Sequence, residues 1–251
     1  MKMTGNIILI TGAGSGIGRA LAERLHDRGN RVIVAGRRRE LLDEVISTRE
    51  GMAALELDVS DAGSIAAAVA DIETRFPELN VLVNNAGISR PEDLTADAWD
   101  SDLAEAMIAT NVTGVLRLTA ALLPSLKRQS NAAVITTTSG LAYVPLASYP
   151  TYSATKAFLH SWLQSLRHQL RDTDVEILEL SPPYVQTELG GPQQLTDPYA
   201  MPLAEFADEV MTLLESGNTP AGEILVDRVM GYRGAEREGR YVETFAHGNA
   251  G

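Results

Sequence analysis

The strongest constraint on this chain is a junction near its start. A short apolar run, Asn6–Thr11, passes directly into Gly12-Ala13-Gly14-Ser15-Gly16-Ile17-Gly18, and a helical pattern follows at once, with Ile17, Leu21 and Leu25 four residues apart. A continuous apolar run suits a strand buried on both faces. Glycine adopts backbone angles closed to other residues and lets a ligand approach the main chain. In the order strand, glycine-rich turn, helix, the free N–H groups and partial positive charge of the helix N-terminus face an anion such as a pyrophosphate. The junction places Gly12, Ser15, Gly16, Ile17 and Gly18 around a dinucleotide, although a plain tight turn would use the same glycines.

The alternation continues along the chain. Arg31–Ala35, Ala53–Leu57, Asn80–Val83, Ala133–Thr138, Val175–Leu180 and Glu223–Val226 are further strand candidates. Helical faces lie between them, one from Val112 to Leu126 and one marked by Leu159, Leu163, Leu166 and Leu170. Strand and helix in strict alternation imply parallel strands joined by right-handed crossovers. The expected fold is α/β: a single Rossmann-type, doubly wound parallel sheet of about seven strands with helices on both faces, spanning 1–251 without a linker. Residues 182–202, rich in Pro, Gly and Gln, read as a mobile substrate loop, and the tail from Asp227 as weakly patterned with a short charged helix.

Composition narrows the function. The 251 residues include no cysteine, which excludes disulfides, iron–sulfur clusters, thiolate zinc sites and a cysteine nucleophile, and fits a cytoplasmic setting. A net charge of −12 argues against nucleic acid and against an anionic membrane surface. The N-terminal apolar run is too short for a signal peptide, and no stretch is expected to reach the ~20 apolar residues of a membrane span. His26, His160, His168 and His247 show no ligand spacing, so no metal site is expected; His160 and His168 read as helix-surface residues.

The end of the second strand separates NADP from NAD. An acidic residue there would accept hydrogen bonds from the adenosine ribose and repel a 2′-phosphate. This chain has Ala35-Gly36-Arg37-Arg38-Arg39. Arg37 can pair a phosphate bidentately, and positive charge at a helix N-terminus is unfavourable unless an anion offsets it. NADP(H) is therefore favoured over NAD(H), with Arg37 and Arg38 as its contacts. A solvated helix start remains the plainer alternative. Asp58 and Val59 follow the third strand, where a carboxylate suits an adenine amino group; Asp58 or Ser60 would equally cap the next helix. Asn85, Ala86 and Gly87 end the fourth strand, where small residues leave room for a ligand.

Tyr152 and Lys156 are four apart and share one helix face. A free tyrosine titrates near ~10, and an adjacent ammonium stabilises the phenolate and makes it a usable acid or base. Alone, such a pair is common. Here Ser139 stands thirteen residues before Tyr152, and Asn111 interrupts an otherwise apolar helix face.

Taken in order, Thr11–Gly18, Asn84–Gly87, Asn111, Ser139 and Tyr152–Lys156 resemble the short-chain dehydrogenase/reductase family over residues 6–230. Gly36–Leu42 and Val144–Lys156 look closest to a bacterial subgroup named for D-alanine esterification of teichoic acid. The resemblance implies an NADP(H)-dependent oxidoreductase in which Tyr152 exchanges a proton with the substrate oxygen. Lys156 tunes Tyr152 and bonds the nicotinamide ribose, Ser139 polarises the carbonyl or alcohol, and the Asn111 main-chain carbonyl positions a relay water. Gly12, Gly16 and Gly18 cradle the pyrophosphate while Gly14 supports the turn. Asn85 lies near the adenosine ribose, and Val185 and Thr187 hold the carboxamide. The family's usual Pro-Gly after the sixth strand is Pro182-Pro183 here, which stiffens that wall.

The substrate pocket is expected from Leu141, Ala142, Tyr143, Tyr149, Tyr184, Leu189 and parts of Gln193–Met201, suiting a small neutral ketone, aldehyde or secondary alcohol, with Arg90 in a solvated loop. Surplus apolar surface on the two long helices suggests a homodimer or homotetramer. Two other functions share these features: a cofactor-binding regulatory protein without turnover, and a non-redox lyase or epimerase. The intact Asn111, Ser139, Tyr152 and Lys156 set argues against the first.

Overall fold

Seven strands hydrogen-bond in the order β3-β2-β1-β4-β5-β6-β7, every pair parallel, in a computed structural model that describes residues 1–250. They are β1 (Ile7–Thr11), β2 (Arg31–Gly36), β3 (Ala53–Glu56), β4 (Val81–Asn84), β5 (Ala132–Thr137), β6 (Val175–Leu180) and β7 (Glu223–Ile224). The helices are α1 (Gly16–Asp27), α2 (Arg39–Ser47), α3 (Ala62–Arg75), α4 (Asp102–Ile108), α5 (Gly114–Leu126), α6 (Pro150–Gln169), α7 (Leu203–Ser216), α8 (Asp227–Gly234) and α9 (Tyr241–Gly248).

Side chains alternate across each strand, so one strand feeds two cores. Ile8, Ile10, Val32 and Val34 pack with Leu21 and Leu25 of α1 and Val210 and Met211 of α7. Leu9, Ile33, Leu82 and Val134 pack with Ile72 of α3, Leu118 and Leu122 of α5 and Leu163 of α6. Each such side chain contributes roughly 1.5–3 kcal/mol on burial. From β1 the chain runs outward to β2 and β3 and returns to β4 on the other side. This reversal opens a crevice at the carboxyl ends of β1 and β4, where sheets of this kind bind ligands.

α4 and α5 form one continuous helix through a π turn at Ala109–Thr113. Gly114 begins α5 because the helix crosses Val59 closely: a β-carbon at Gly114 would lie 2.4 Å from the Val59 carbonyl oxygen. The continuous helix, Asp102–Leu126, has 25 residues and a window of mean hydropathy 1.5, which corrects the expectation that no stretch reaches spanning length. Leu118, Leu122 and Leu126 on it are buried in the second core.

Two smaller expectations change, and the 182–202 segment shows bonds of its own. β7 is two residues long, ending before Leu225-Val226. The tail folds into two helices rather than one. The 182–202 loop is tied down: Val185 bridges Met201, Gln186 N–H donates to the Met201 carbonyl at 2.9 Å, and the buried Gln194 donates to the Val185 carbonyl at 2.6 Å.

Candidate active site

A cleft of about 390 Å³ runs along the carboxyl edge of the sheet. At one end lies the glycine turn. Gly12 has φ +66°, and a β-carbon there would meet the Ala86 Cα at 2.8 Å, so both conformation and space require glycine. α1 starts at Gly16 without a side-chain cap on its N-cap Ser15 and without an acidic residue in its first turn. Its first N–H groups face the cleft uncommitted to a side chain, which fits a pyrophosphate. Gly14, Ser15, Gly16 and Ile17 line the cleft. Gly18, expected to cradle the pyrophosphate, is not on the cleft wall; a β-carbon there would lie 2.5 Å from the Gly12 carbonyl oxygen, so glycine lets α1 pack on the turn. Gly14, expected only to support the turn, is on the wall.

The adenosine end is cationic. Arg37 and Arg38 line the cleft, and Arg38 Nη2 donates to Ser15 Oγ at 3.4 Å. Arg39 faces away and pairs with Asp43 one helical turn on, at 2.8 Å. Asp58 and Val59 line the same end. Burial tends to raise the Asp58 pKa, but hydrogen bonds from the Ser60 hydroxyl and N–H, with the charge of Arg37, hold it below its usual value. Asp61, rather than Asp58 or Ser60, caps α3, accepting from Ser64 N–H at 2.5 Å. Asn85, Ala86 and Gly87 form the floor, with Asn85 Nδ2 donating to the Thr11 carbonyl at 3.1 Å.

At the other end Ser139, Tyr152 and Lys156 converge on the cleft. Ser139 lies two residues beyond the end of β5 and caps the turn Gly140–Ala142, its Oγ accepting the Leu141 N–H at 3.1 Å. Pro150 at the start of α6 fixes the helix entry, and the four-residue spacing stacks Lys156 beside Tyr152, with Nζ 5.5 Å from the ring centroid. Lys156 is 4% exposed, and Nζ donates to the Thr137 carbonyl at 2.8 Å. Burial lowers its pKa to about 8. Burial also pushes the Tyr152 phenol up to about 12, while the Ser139 hydroxyl acts in the opposite sense. The phenol therefore holds its proton near pH 7.

Asn111 sits at the centre of the π turn and does not line the cleft. Its amide is clamped on Ile88, accepting from the N–H and donating to the carbonyl, both at 2.9 Å, and it donates to Thr155 Oγ1 at 3.2 Å. Its side chain therefore ties α6 and the segment after β4 to the π turn; π turns free main-chain groups for other partners.

The structure revises the substrate pocket. Of the expected lining, Leu189 and, within Gln193–Met201, Gln194 are on the cleft wall; Val185 and Thr187 also line it, as expected. Tyr143 points beneath the site, its hydroxyl on Ser181 Oγ at 2.8 Å. Tyr184 alternates with the buried Val185 and so turns outward, its hydroxyl on Asp197 Oδ2 at 3.1 Å. Leu141 lies in the turn behind Ser139, and Tyr149 is the N-cap of α6. Pro182, Pro183 and Ile88 supply the rest of the wall. Within Gln193–Met201 it is the way the loop closes that selects Gln194. Arg90 is also on the wall, where its guanidinium donates to the Ser89 and Leu189 carbonyls at 2.7 and 3.5 Å. His160 is not a surface residue: it is half-buried against Glu179.

Residues 6–197 match the short chain dehydrogenase family. An uncharacterized oxidoreductase, DltE, of Bacillus subtilis (strain 168) is 40% identical over 239 residues, covering 94% of each chain. Among solved structures, a short chain dehydrogenase from Burkholderia cenocepacia J2315 in complex with NADP superposes with TM-score 0.81 at 28% identity, covering 97% of this chain and 98% of that one. An alcohol dehydrogenase from the archaeon Thermococcus sibiricus, complexed with 5-hydroxy-NADP, gives TM-score 0.74 at 27% identity, covering 84% of this chain and 90% of that one.

Proposed function

The chain belongs to the short-chain dehydrogenase family, and from that premise we propose that it is an NADP(H)-dependent oxidoreductase acting between a neutral ketone or aldehyde and the corresponding alcohol. The observation that carries this reading is the convergence of Ser139, Tyr152 and Lys156 at one end of a cleft whose other end is built of Arg37 and Arg38. When bound, the nicotinamide supplies or accepts the hydride. The uncapped start of α1 and Gly12 hold the pyrophosphate, and the two guanidiniums hold a 2′-phosphate.

The Ser139 oxygen accepts the Leu141 N–H, which leaves its own proton available to the substrate oxygen. Tyr152, neutral near pH 7, donates its phenolic proton to that oxygen as charge develops there. Lys156 holds a cation beside the resulting phenolate and lowers its energy. The wall of Pro182, Pro183, Ile88 and Leu189 excludes water and favours an uncharged substrate. Arg90, committed to two main-chain carbonyls across the mouth, supports the same preference. We also propose a homo-oligomer, since Leu103, Ile108 and Phe158 leave apolar surface on α4 and α6.

The test is titration with NADPH and NADH by nicotinamide fluorescence, followed by absorbance loss with a panel of ketones and aldehydes. Tighter NADPH binding and turnover are expected. Equal or tighter NADH binding refutes the role of Arg37 and Arg38. Cofactor binding without turnover across the panel refutes the reductase reading.

A further inference from the structure

A buried polar cluster lies beneath the catalytic groups, and the proton chemistry above does not use it. The side chain of Glu179, on β6, is 0% exposed. Its two carboxylate oxygens lie 3.0 and 2.9 Å from His160 Nδ1. It also accepts from Thr138 Oγ1 at 2.7 Å and Ser181 Oγ at 3.3 Å. Tyr143 sets its ring edge-on to His160, with centroids 5.0 Å apart, and shares Ser181. Arg233 closes the cluster by holding Glu223 at 2.7 and 3.0 Å. His160, Glu179 and Glu223 offer ligand atoms within 4.8 Å of one another, but a cation would have to displace the Arg233 guanidinium.

The placement of these partners gives the cluster its meaning. Thr138 immediately precedes Ser139. His160 follows Lys156 by four residues and Tyr152 by eight, on the same stripe of α6. Ser181 immediately precedes the Pro182-Pro183 wall. One carboxylate is therefore bonded both to the residue that precedes Ser139 and to a residue on the α6 stripe that carries Tyr152 and Lys156. A hydrophobic packing of similar volume can stabilise a fold as well as a buried polar pair, so what the pair adds is fixed geometry. We propose that Glu179 and His160 are positioning residues whose pairing sets the rotation of α6 against the end of β5, and with it the approach of the Tyr152 hydroxyl to Ser139.

For its effect on turnover the proposal rests on the reductase reading, so the test includes a measurement free of turnover. In protein labelled with 13C-tyrosine, the Tyr152 ring carbon bearing oxygen, identified by its loss in Tyr152→Phe, reports the hydrogen bonding of its hydroxyl. Ser139→Ala is expected to move that resonance. Glu179→Gln and His160→Phe are expected to move it in the same sense, with Ser139→Ala adding nothing further in the Glu179→Gln background. His160→Asn, whose amide nitrogen falls near the position of Nδ1, restores it. With a substrate that turns over, kcat falls about ten-fold or more while NADPH affinity changes by less than about two-fold, as expected for misplacement of a reacting group. If Glu179→Gln does not fold, His160→Phe against His160→Asn decides. An unmoved Tyr152 resonance in the folded variants, or in Ser139→Ala itself, overturns the positioning role. A parallel loss of kcat and NADPH affinity also overturns it, since that is general loosening. A panel without turnover refutes the reductase reading alone, and the resonance still decides this one.

Discussion

Replacing Lys156 with methionine removes a buried cation while keeping most of the side chain's volume. In the folded protein the ammonium has its pKa lowered to about 8 by burial, against a model value of 10.5. Between those values the unfolded chain binds more protons than the folded one, so stability rises with pH. Below the folded pKa the cost of the buried charge is fully present; above the unfolded pKa it is gone. Integrating the two titrations gives wild type a gain of about 2.5 kcal/mol from pH 7 to pH 10 that the methionine variant lacks. Constant differences in packing, and the lost bond to the Thr137 carbonyl, cancel when only the change with pH is compared. Urea unfolding of both proteins without nucleotide, at several pH values and equal concentration, measures it. The wild-type-minus-variant stability is expected to climb across that range. Parallel curves would show that Lys156 is solvated, and the account of a dry cation beside Tyr152 would fail.

Other outcomes follow from the same geometry. Tyr152→Phe is expected to lower kcat by about two to four orders of magnitude, with NADPH affinity within about two-fold of wild type, read by single-turnover absorbance and fluorescence titration. Arg37→Ala combined with Arg38→Ala is expected to weaken NADPH by roughly 1.5–3 kcal/mol and leave NADH unchanged, because only the 2′-phosphate loses charge-assisted hydrogen bonds; equal losses for both nucleotides would contradict this. Gly18→Ala places a carbon 2.5 Å from the Gly12 carbonyl oxygen and is expected to destabilise by about 1–3 kcal/mol in thermal or urea melts, whereas Gly29→Ala, with nothing within 4 Å but φ +82°, isolates the backbone contribution.

The sequence by itself determined the sheet, its parallel sense and the place of the chemistry. Continuous apolar runs identify doubly buried strands, the glycine turn marks the cofactor end, and the four-residue spacing puts Tyr152 and Lys156 on one face. These signals are local, carried by neighbours along the chain. Which side chains form the walls was a different matter. Tyr143 reads as a pocket residue because it follows Ser139 closely, yet the turn Gly140–Ala142 rotates it beneath the sheet edge toward Ser181. Tyr184 turns outward because the bridge of Val185 to Met201 fixes the strand-like alternation around it. Gln194 enters the wall only when the loop closes on Val185. His160 looks like a helix-surface residue until β6 brings Glu179 to it across nineteen residues of chain. Contacts of that kind depend on where separate elements meet, and no local periodicity encodes them. The opening junction of strand, glycine turn and helix was legible at once, but only the packing showed that Gly18 permits the close approach of α1 to the turn.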